Sequence, residues 1–241
     1  MRFSPPLTPA TLLRRYKRFF ADVELADGTV VVAHCTNTGR MTGCSDPGSA
    51  CLIQPAPEDS KRKLRWTLSL VKVGRSWVSV DTMTPNRVVA EALRRRTIEA
   101  LAAYDTVKTE VPYGPGKRSR IDMLLTDSAG ALPPCYVEVK NTTLTDGNVA
   151  LFPDAVSERA TKHLNELAAE VGKGNRAVIL PFVARGDCDA FDAAGEIDPV
   201  WASTLETALA AGVELLPLRA RIDKRSVTLG AVLPYARRAG V

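Results

Sequence analysis

Up to about Met83 the chain runs in short apolar stretches broken by turn residues, a rhythm that limits what this part can fold into. Phe19, Ala21, Val23 and Leu25 alternate with Phe20, Asp22 and Glu24, the period-two pattern of a half-buried strand, closed by Asp27-Gly28. TVVVAHC (29–35) reads as the returning arm of a hairpin, and Asn37-Thr38-Gly39-Arg40 and DPGS (46–49) carry loop and turn chemistry. ACLIQ (50–54), WTLSLVKV (66–73) and SWVSV (76–80) add strands. About five short strands predict a small all-β barrel, of which the OB fold is a common form.

After Met83 the texture changes. Thr84-Pro85 predicts a helix start, with Thr84 as N-cap, and Val88, Val89, Ala92 and Leu93 follow at helical spacing. Extended segments come next at 106–114, 119–126 and 135–140. A helix at about 157–171 has Ala160, Leu164, Leu167, Ala168 and Val171 on one face. Strands at 175–183 and 213–220 flank a helix at 199–211, and 226–230 reads as an edge strand. Strands and helices in alternation predict an α/β (α+β) unit with a mixed central sheet, giving an organisation of 1–83 and 84–241.

Charge separates the two parts. Residues 1–100 hold 16 Lys/Arg against 9 Asp/Glu, and residues 101–241 hold 16 against 18. Basic character therefore belongs to the first part, in LLRRYKRFF (12–20), KRKLR (61–65) and RRR (94–96). An anionic polymer suits such a surface, and a solvated basic face explains it equally well. No run of 18 apolar residues occurs, and the N-terminus lacks the apolar core of a secretory signal. Five cysteines without C-x-x-C spacing argue for a reducing, cytoplasmic setting, and His34, Cys35, Cys44 and Cys51 match no common zinc-ligand spacing.

The chemistry concentrates in two strands. In SRIDMLLT, Asp122 shares a face with Arg120 and Leu124, and in CYVEVK, Glu138 and Lys140 share the face opposite Val137 and Val139. If these strands are neighbours, three ionisable groups meet. Two carboxylates on adjacent strands can hold Mg²⁺ or Mn²⁺, hard cations that take oxygen ligands and keep water, with the Val139 carbonyl as a further ligand. Such an ion activates water and screens charge on a phosphate, and an ammonium beside it stabilises the transition state. The tripeptide alone is uninformative: Asp59-Ser60-Lys61 repeats the spacing in a polar loop, and an exposed Glu138–Lys140 ion pair accounts for it as well.

CYVEVKNTTL (135–144), SRIDMLL, VALFPDAVSERATKHLNEL (149–167), HCTNTGRM (34–41) and EIDPVWASTLETALAAGVELLPLRA (196–220) together resemble the sugar fermentation stimulation protein family. The resemblance spans most of the chain. It implies an OB-like N-terminal domain and a C-terminal domain similar to PD-(D/E)xK nucleases, DNA binding, and a link to regulation of sugar (maltose) utilisation genes. Its nuclease-like motif falls on Asp122, Glu138 and Lys140, with Ile121 where the motif name has proline. It also implies a glutamate on the first core helix, for which Glu91 is the candidate, although Arg87, Arg94 and Arg95 surround Glu91 at ion-pair spacing.

The expected nucleic-acid contacts are Arg14, Arg15, Lys17, Arg18, Lys61, Arg62, Lys63 and Arg65, with Trp66, Trp77 and Phe20 as stacking or core residues. Arg159 and His163 share a helix stripe that can meet a phosphate, while Glu158, Lys162 and Glu166 read as a satisfied exterior ladder. Asn141 and Thr142 either assist the site or end the strand. Two functions follow: a metal-dependent phosphodiesterase acting on DNA or structured nucleic acid, or a DNA-binding regulator that uses a nuclease-like fold only to bind.

Overall fold

The computed structural model describes residues 1–238. Its first unit comprises β1 (Thr8–Tyr16), β2 (Phe20–Leu25), β3 (Val30–His34), β4 (Ala50–Pro55), β5 (Trp66–Val73) and β6 (Ser76–Ser79), in the order β3-β2-β1-β4-β5-β6. A parallel β3–β5 pairing closes the first five strands into a barrel, and β6 extends from β5. Leu12, Val23, Ile53, Leu68 and Val71 fill its interior with no exposed surface.

The alternation reading finds β2 to β6 and misses β1. A bulge between Leu12 and Arg14 breaks the period of β1, and its outward residues form the basic run. Lys17 and Arg18 adopt positive φ (48° and 64°) in the tight β1–β2 turn, the backbone hand that matches twisted hairpins.

Met1, Phe3 and Leu7 lie against the second unit rather than in the barrel. There, α1 (Thr84–Arg94) begins one residue earlier in cap terms than the sequence predicts. Met83 occupies the N-cap without a side-chain cap, and Asp81 Oδ1 takes the Met83 N–H at 3.0 Å. Strands β7 (Thr106–Tyr113), β8 (Ser119–Thr126) and β9 (Cys135–Thr142) follow. Next come β10 (Leu144–Asp146), β11 (Val149–Phe152), α2 (Glu158–Gly172), β12 (Arg176–Val183) and β13 (Ala190–Ala193). The chain continues through α3 (Pro199–Ala210), β14 (Glu214–Leu215), β15 (Leu218–Ile222) and β16 (Val227–Val232). The main sheet runs β16-β15-β12-β9-β8-β7, with β14 beside β12, while β10, β11 and β13 form a small second sheet.

The sheet is mixed: β9 pairs parallel with β12 and antiparallel with β8. One core joins α1 to Met123, Leu125, Val137, Val139, Leu180 and Phe182; another joins α2 and α3 to Ala177, Ile179 and Trp201. Each large apolar side chain (Val, Leu, Ile, Met or Phe) fully buried in these layers contributes on the order of 1.5–3 kcal/mol. The predicted strand at 213–220 is two, because Leu216-Pro217 interrupts it where proline lacks a ladder donor. Barrel and sheet are tied together. Ser79 N donates to the Ala184 carbonyl at 2.8 Å, and Leu52 and Leu70 of the barrel enter the α1 core.

Candidate active site at the open end of the β8–β9 ladder

Strands β8 and β9 pair through Met123–Val137, and the same register continued one step sets Asp122 across from Glu138. No ladder pair forms there. Instead Asp122 Oδ2 accepts the Val139 N–H at 2.7 Å, and Oδ1 accepts the Asn86 side-chain amide from the first turn of α1 at 2.7 Å. The aspartate thus takes over an orphaned strand donor and is fixed by it.

Glu138 is 3% exposed. Its Oε1 accepts from Lys140 Nζ at 2.8 Å and from His163 Nδ1 of α2. A carboxylate can only accept, so Nδ1 carries the hydrogen in that contact. The Glu138 Oε2 is buried with no partner among the described residues. A buried, orphaned carboxylate oxygen is costly without a counter-ion.

The electrostatics reflect this crowding. Burial and the Glu138 charge push the Asp122 carboxyl up to about 6, against opposing bonds from Val139 and Asn86. Burial alone would raise Glu138 as well, but the Lys140 ammonium and the His163 ring outweigh it and hold that carboxyl below its usual range. Two neighbouring carboxyls are therefore driven apart by their surroundings.

Asp122 and Glu138 line a cleft of about 680 Å³, rimmed by Arg118, Arg120, Arg159 and Lys162. His163 also lines it, but as a buried ligand of Glu138 rather than a surface phosphate contact. The ladder read as exterior is half inward: Glu166 is 8% exposed and accepts from Ser119 Oγ at 2.7 Å, while Lys162 donates to that same hydroxyl at 2.9 Å. Helical spacing finds an ion pair but cannot tell which of its ends faces a cleft.

Glu91 stands elsewhere. Its carboxylate meets the Met1 ammonium at 2.8 Å and Arg95 at 3.3 Å, so it joins a surface ion-pair network, and Asn86 is the α1 residue that reaches the site. None of the eight basic candidates of the barrel lines the cleft. Arg15 is spent on the carbonyls of Asn37 (2.7 Å) and Gly39 (2.8 Å), and Arg65 on those of Ser60 (2.6 Å) and Pro57 (2.7 Å). Arg14 pairs with Asp22 at 2.7 Å, and Arg62 donates to Thr67 at 3.1 Å; Lys17, Arg18, Lys61 and Lys63 stay exposed. Trp66 and Trp77 pack against the cores, whereas Phe20 stacks on Tyr16 at 5.4 Å on the barrel surface. The cleft cations missed by the sequence reading include Arg118, two residues before Arg120 in KRSR (117–120), which Ile121 separates from Asp122.

Residues 83–226 match the family domain described as the sugar fermentation stimulation protein RE domain, and residues 13–80 match the SfsA N-terminal OB domain. The chain belongs to the sugar fermentation stimulation family. A sugar fermentation stimulation protein homolog of Ruegeria sp. (strain TM1040) is 48% identical over 236 residues, covering 97% of this chain and 100% of that one. One of Geobacter metallireducens is 47% identical over 234 residues, covering 97% and 99%. The solved structure of Pyrococcus furiosus SfsA in complex with Ca²⁺ matches with a TM-score of 0.86 and 28% identity, over 98% of this chain and 97% of that one. The family assignment covers both the barrel and the unit that carries Asp122, Glu138 and Lys140.

Proposed function

We propose that this family member is a metal-dependent phosphodiesterase acting on DNA, with Asp122, Glu138 and Lys140 as its catalytic set. The observation that carries the reading is the register position of Asp122 opposite Glu138 just past the last β8–β9 pair, with one buried Glu138 oxygen left without a partner among the described residues. That donor set suits Mg²⁺ or Mn²⁺, which are commonly held by one or two carboxylates and otherwise by water and substrate oxygens. No three His, Cys, Asp or Glu side chains converge as ligands among the described residues. The Val139 carbonyl is the natural third donor, because N–H and C=O of a strand residue leave on the same edge and the Val139 N–H meets Asp122. The Ca²⁺ complex of the Pyrococcus furiosus relative supports a hard divalent cation.

Bound there, the ion supplies an activated water and charge screening for the phosphate. The chain's own groups do the rest. Lys140 offers an ammonium beside Glu138 to stabilise charge on the phosphate. His163 holds Glu138 in one orientation, and Asn86 does the same for Asp122. Arg118, Arg120, Arg159 and Lys162 receive the backbone on either side of the scissile bond. Lys17, Arg18, Lys61 and Lys63 extend a nonspecific attraction over the barrel, and the five buried free thiols suit a reducing cytoplasm.

The test is cleavage of end-labelled duplex, single-stranded and branched DNA, and of RNA, with Mg²⁺ or Mn²⁺. The expected result is metal-dependent cleavage that falls by at least about 100-fold in Glu138→Ala and in Lys140→Ala with binding retained. Binding without cleavage of any of these substrates overturns the catalytic reading and leaves a DNA-binding regulator of sugar-utilisation genes.

A further inference from the structure

A second pocket, of about 270 Å³, lies on the other side of the start of α2. Its walls come from both units: Asn37 from the barrel loop after β3, Thr82 before α1, Asn141 and Thr143 at the end of β9, and Phe152 and Ser157 on the way into α2. It adjoins the active cleft at the start of α2, where Ser157 directly precedes Glu158 and Arg159, which line the cleft.

The chemistry of the two hollows differs sharply. The cleft is lined by four cations and four carboxylates, Glu110, Asp122, Glu138 and Glu158, while the smaller pocket is lined mainly by carboxamides, hydroxyls, small apolar groups and an aromatic ring. Its one charged group, Asp154, is engaged by the Arg40 N–H at 3.1 Å. Asn141 Oδ1 is buried and has no hydrogen-bond partner among the described residues, a cost that a ligand donor would remove. Asn37 Oδ1 is taken by the Gly39 N–H at 2.9 Å, which leaves its Nδ2 hydrogens as donors. A free acceptor, free donors and an apolar wall are the complement of a heterocycle edge and face, and a pocket at the small end of ligand cavities admits a single ring system.

We propose that this pocket receives one unpaired nucleobase of the strand whose backbone lies in the neighbouring cleft. The assignment rests on the nucleic-acid reading given above. A base turned out of the stack is read in this way, by hydrogen bonds to its edge and packing on its face. Asn141 accepts from an exocyclic amine or ring N–H, Asn37 donates to a ring nitrogen or carbonyl, and Phe152 covers the face. The position of Ser157 directly before Glu158 and Arg159 couples recognition of an unpaired base to placement of the backbone in the cleft.

The test is photocrosslinking of the full chain in EDTA, so that strands bind without being cut. Oligonucleotides carry 5-iodouracil, 5-iodocytosine, 8-bromoadenine or 8-bromoguanine in place of the natural base, and anisotropy reports binding in the same samples. Crosslinks are expected in peptides containing residues 37–39 or 151–157 with at least one of the four probes. Asn141→Leu is expected to lower their yield about 5-fold or more, with affinity for the strand changed less than that, and Thr143→Val, measured in parallel, gives a second readout should Asn141→Leu misfold. Crosslinks confined to other segments despite full binding, an unchanged yield in both variants, or labelling by free 5-iodouridine but not by the strand would overturn the pocket assignment alone. Failure of every oligonucleotide to bind would overturn the nucleic-acid reading beneath it.

Discussion

Asp122 carries the most readily measured consequence. Its carboxyl is raised to about 6 from an ordinary 3.8, so the folded state keeps a proton there that the unfolded state has released. Between those values the folded state binds more protons, and stability from this group falls as pH rises through the window. Above about pH 6 the ionised pair costs its full amount. Asp122→Asn keeps the acceptor for Val139, and a flipped Asn86 amide can meet the new Nδ2. The variant is expected to exceed wild type in urea-unfolding stability at pH 8 by about 1–3 kcal/mol, with the advantage vanishing as pH falls below about 4. A gain that does not change with pH contradicts the cost of an ionised Asp122 buried beside Glu138. The phase of Asp122, Glu138 and Lys140 was legible because strand alternation fixes which side chains share a face. The role of His163 was not, because a helix pattern does not say how far a side chain reaches toward a neighbouring strand. Asn86 was invisible for the same reason: it meets Asp122 across 36 residues of sequence.

Among the elements, strands with clean alternation or continuous apolar character were legible to within a residue or two, as β5, β8 and β12 illustrate. Strand β1 was hidden by its bulge, and the small β10-β11-β13 sheet by strands of three or four residues whose pairing is set entirely by tertiary contacts. The loop after β3 shows how the two units hold one another. At Gly39 an added Cβ would sit 2.4 Å from Asp154 Oδ2 and 3.0 Å from Asn37 Oδ1. Gly39→Ala is expected to push the Asp154 carboxylate aside, release the Arg40 N–H and lower stability by about 1 kcal/mol. Thermal unfolding checks this, and a stability equal to wild type would show that the loop yields freely.

For the molecule as a whole, the net charge of +5 matters less than where cations face a common hollow. The barrel's basic runs are the conspicuous feature of the sequence, yet several of their arginines serve as struts to backbone carbonyls. The cleft cations come from β8, α2 and the turn before β8, so their convergence depends on the fold. Double replacement Arg118→Ala/Arg159→Ala is expected to weaken DNA binding and to make the dependence of log K on log salt shallower by about 1.5–2. The corresponding pair Arg15→Ala/Arg65→Ala should instead lower stability and leave that slope nearly unchanged. Everything catalytic in this account depends on the pocket of charge between β8 and β9 accepting a divalent ion. The most direct test is an electron paramagnetic resonance titration of Mn²⁺ at pH 7.5 into the wild-type chain and into Asp122→Asn and Glu138→Gln. The account predicts saturable loss of the free Mn²⁺ signal at one site per chain, weakened at least about 10-fold in both variants. No saturable binding by wild type, or binding that survives both substitutions, would contradict it.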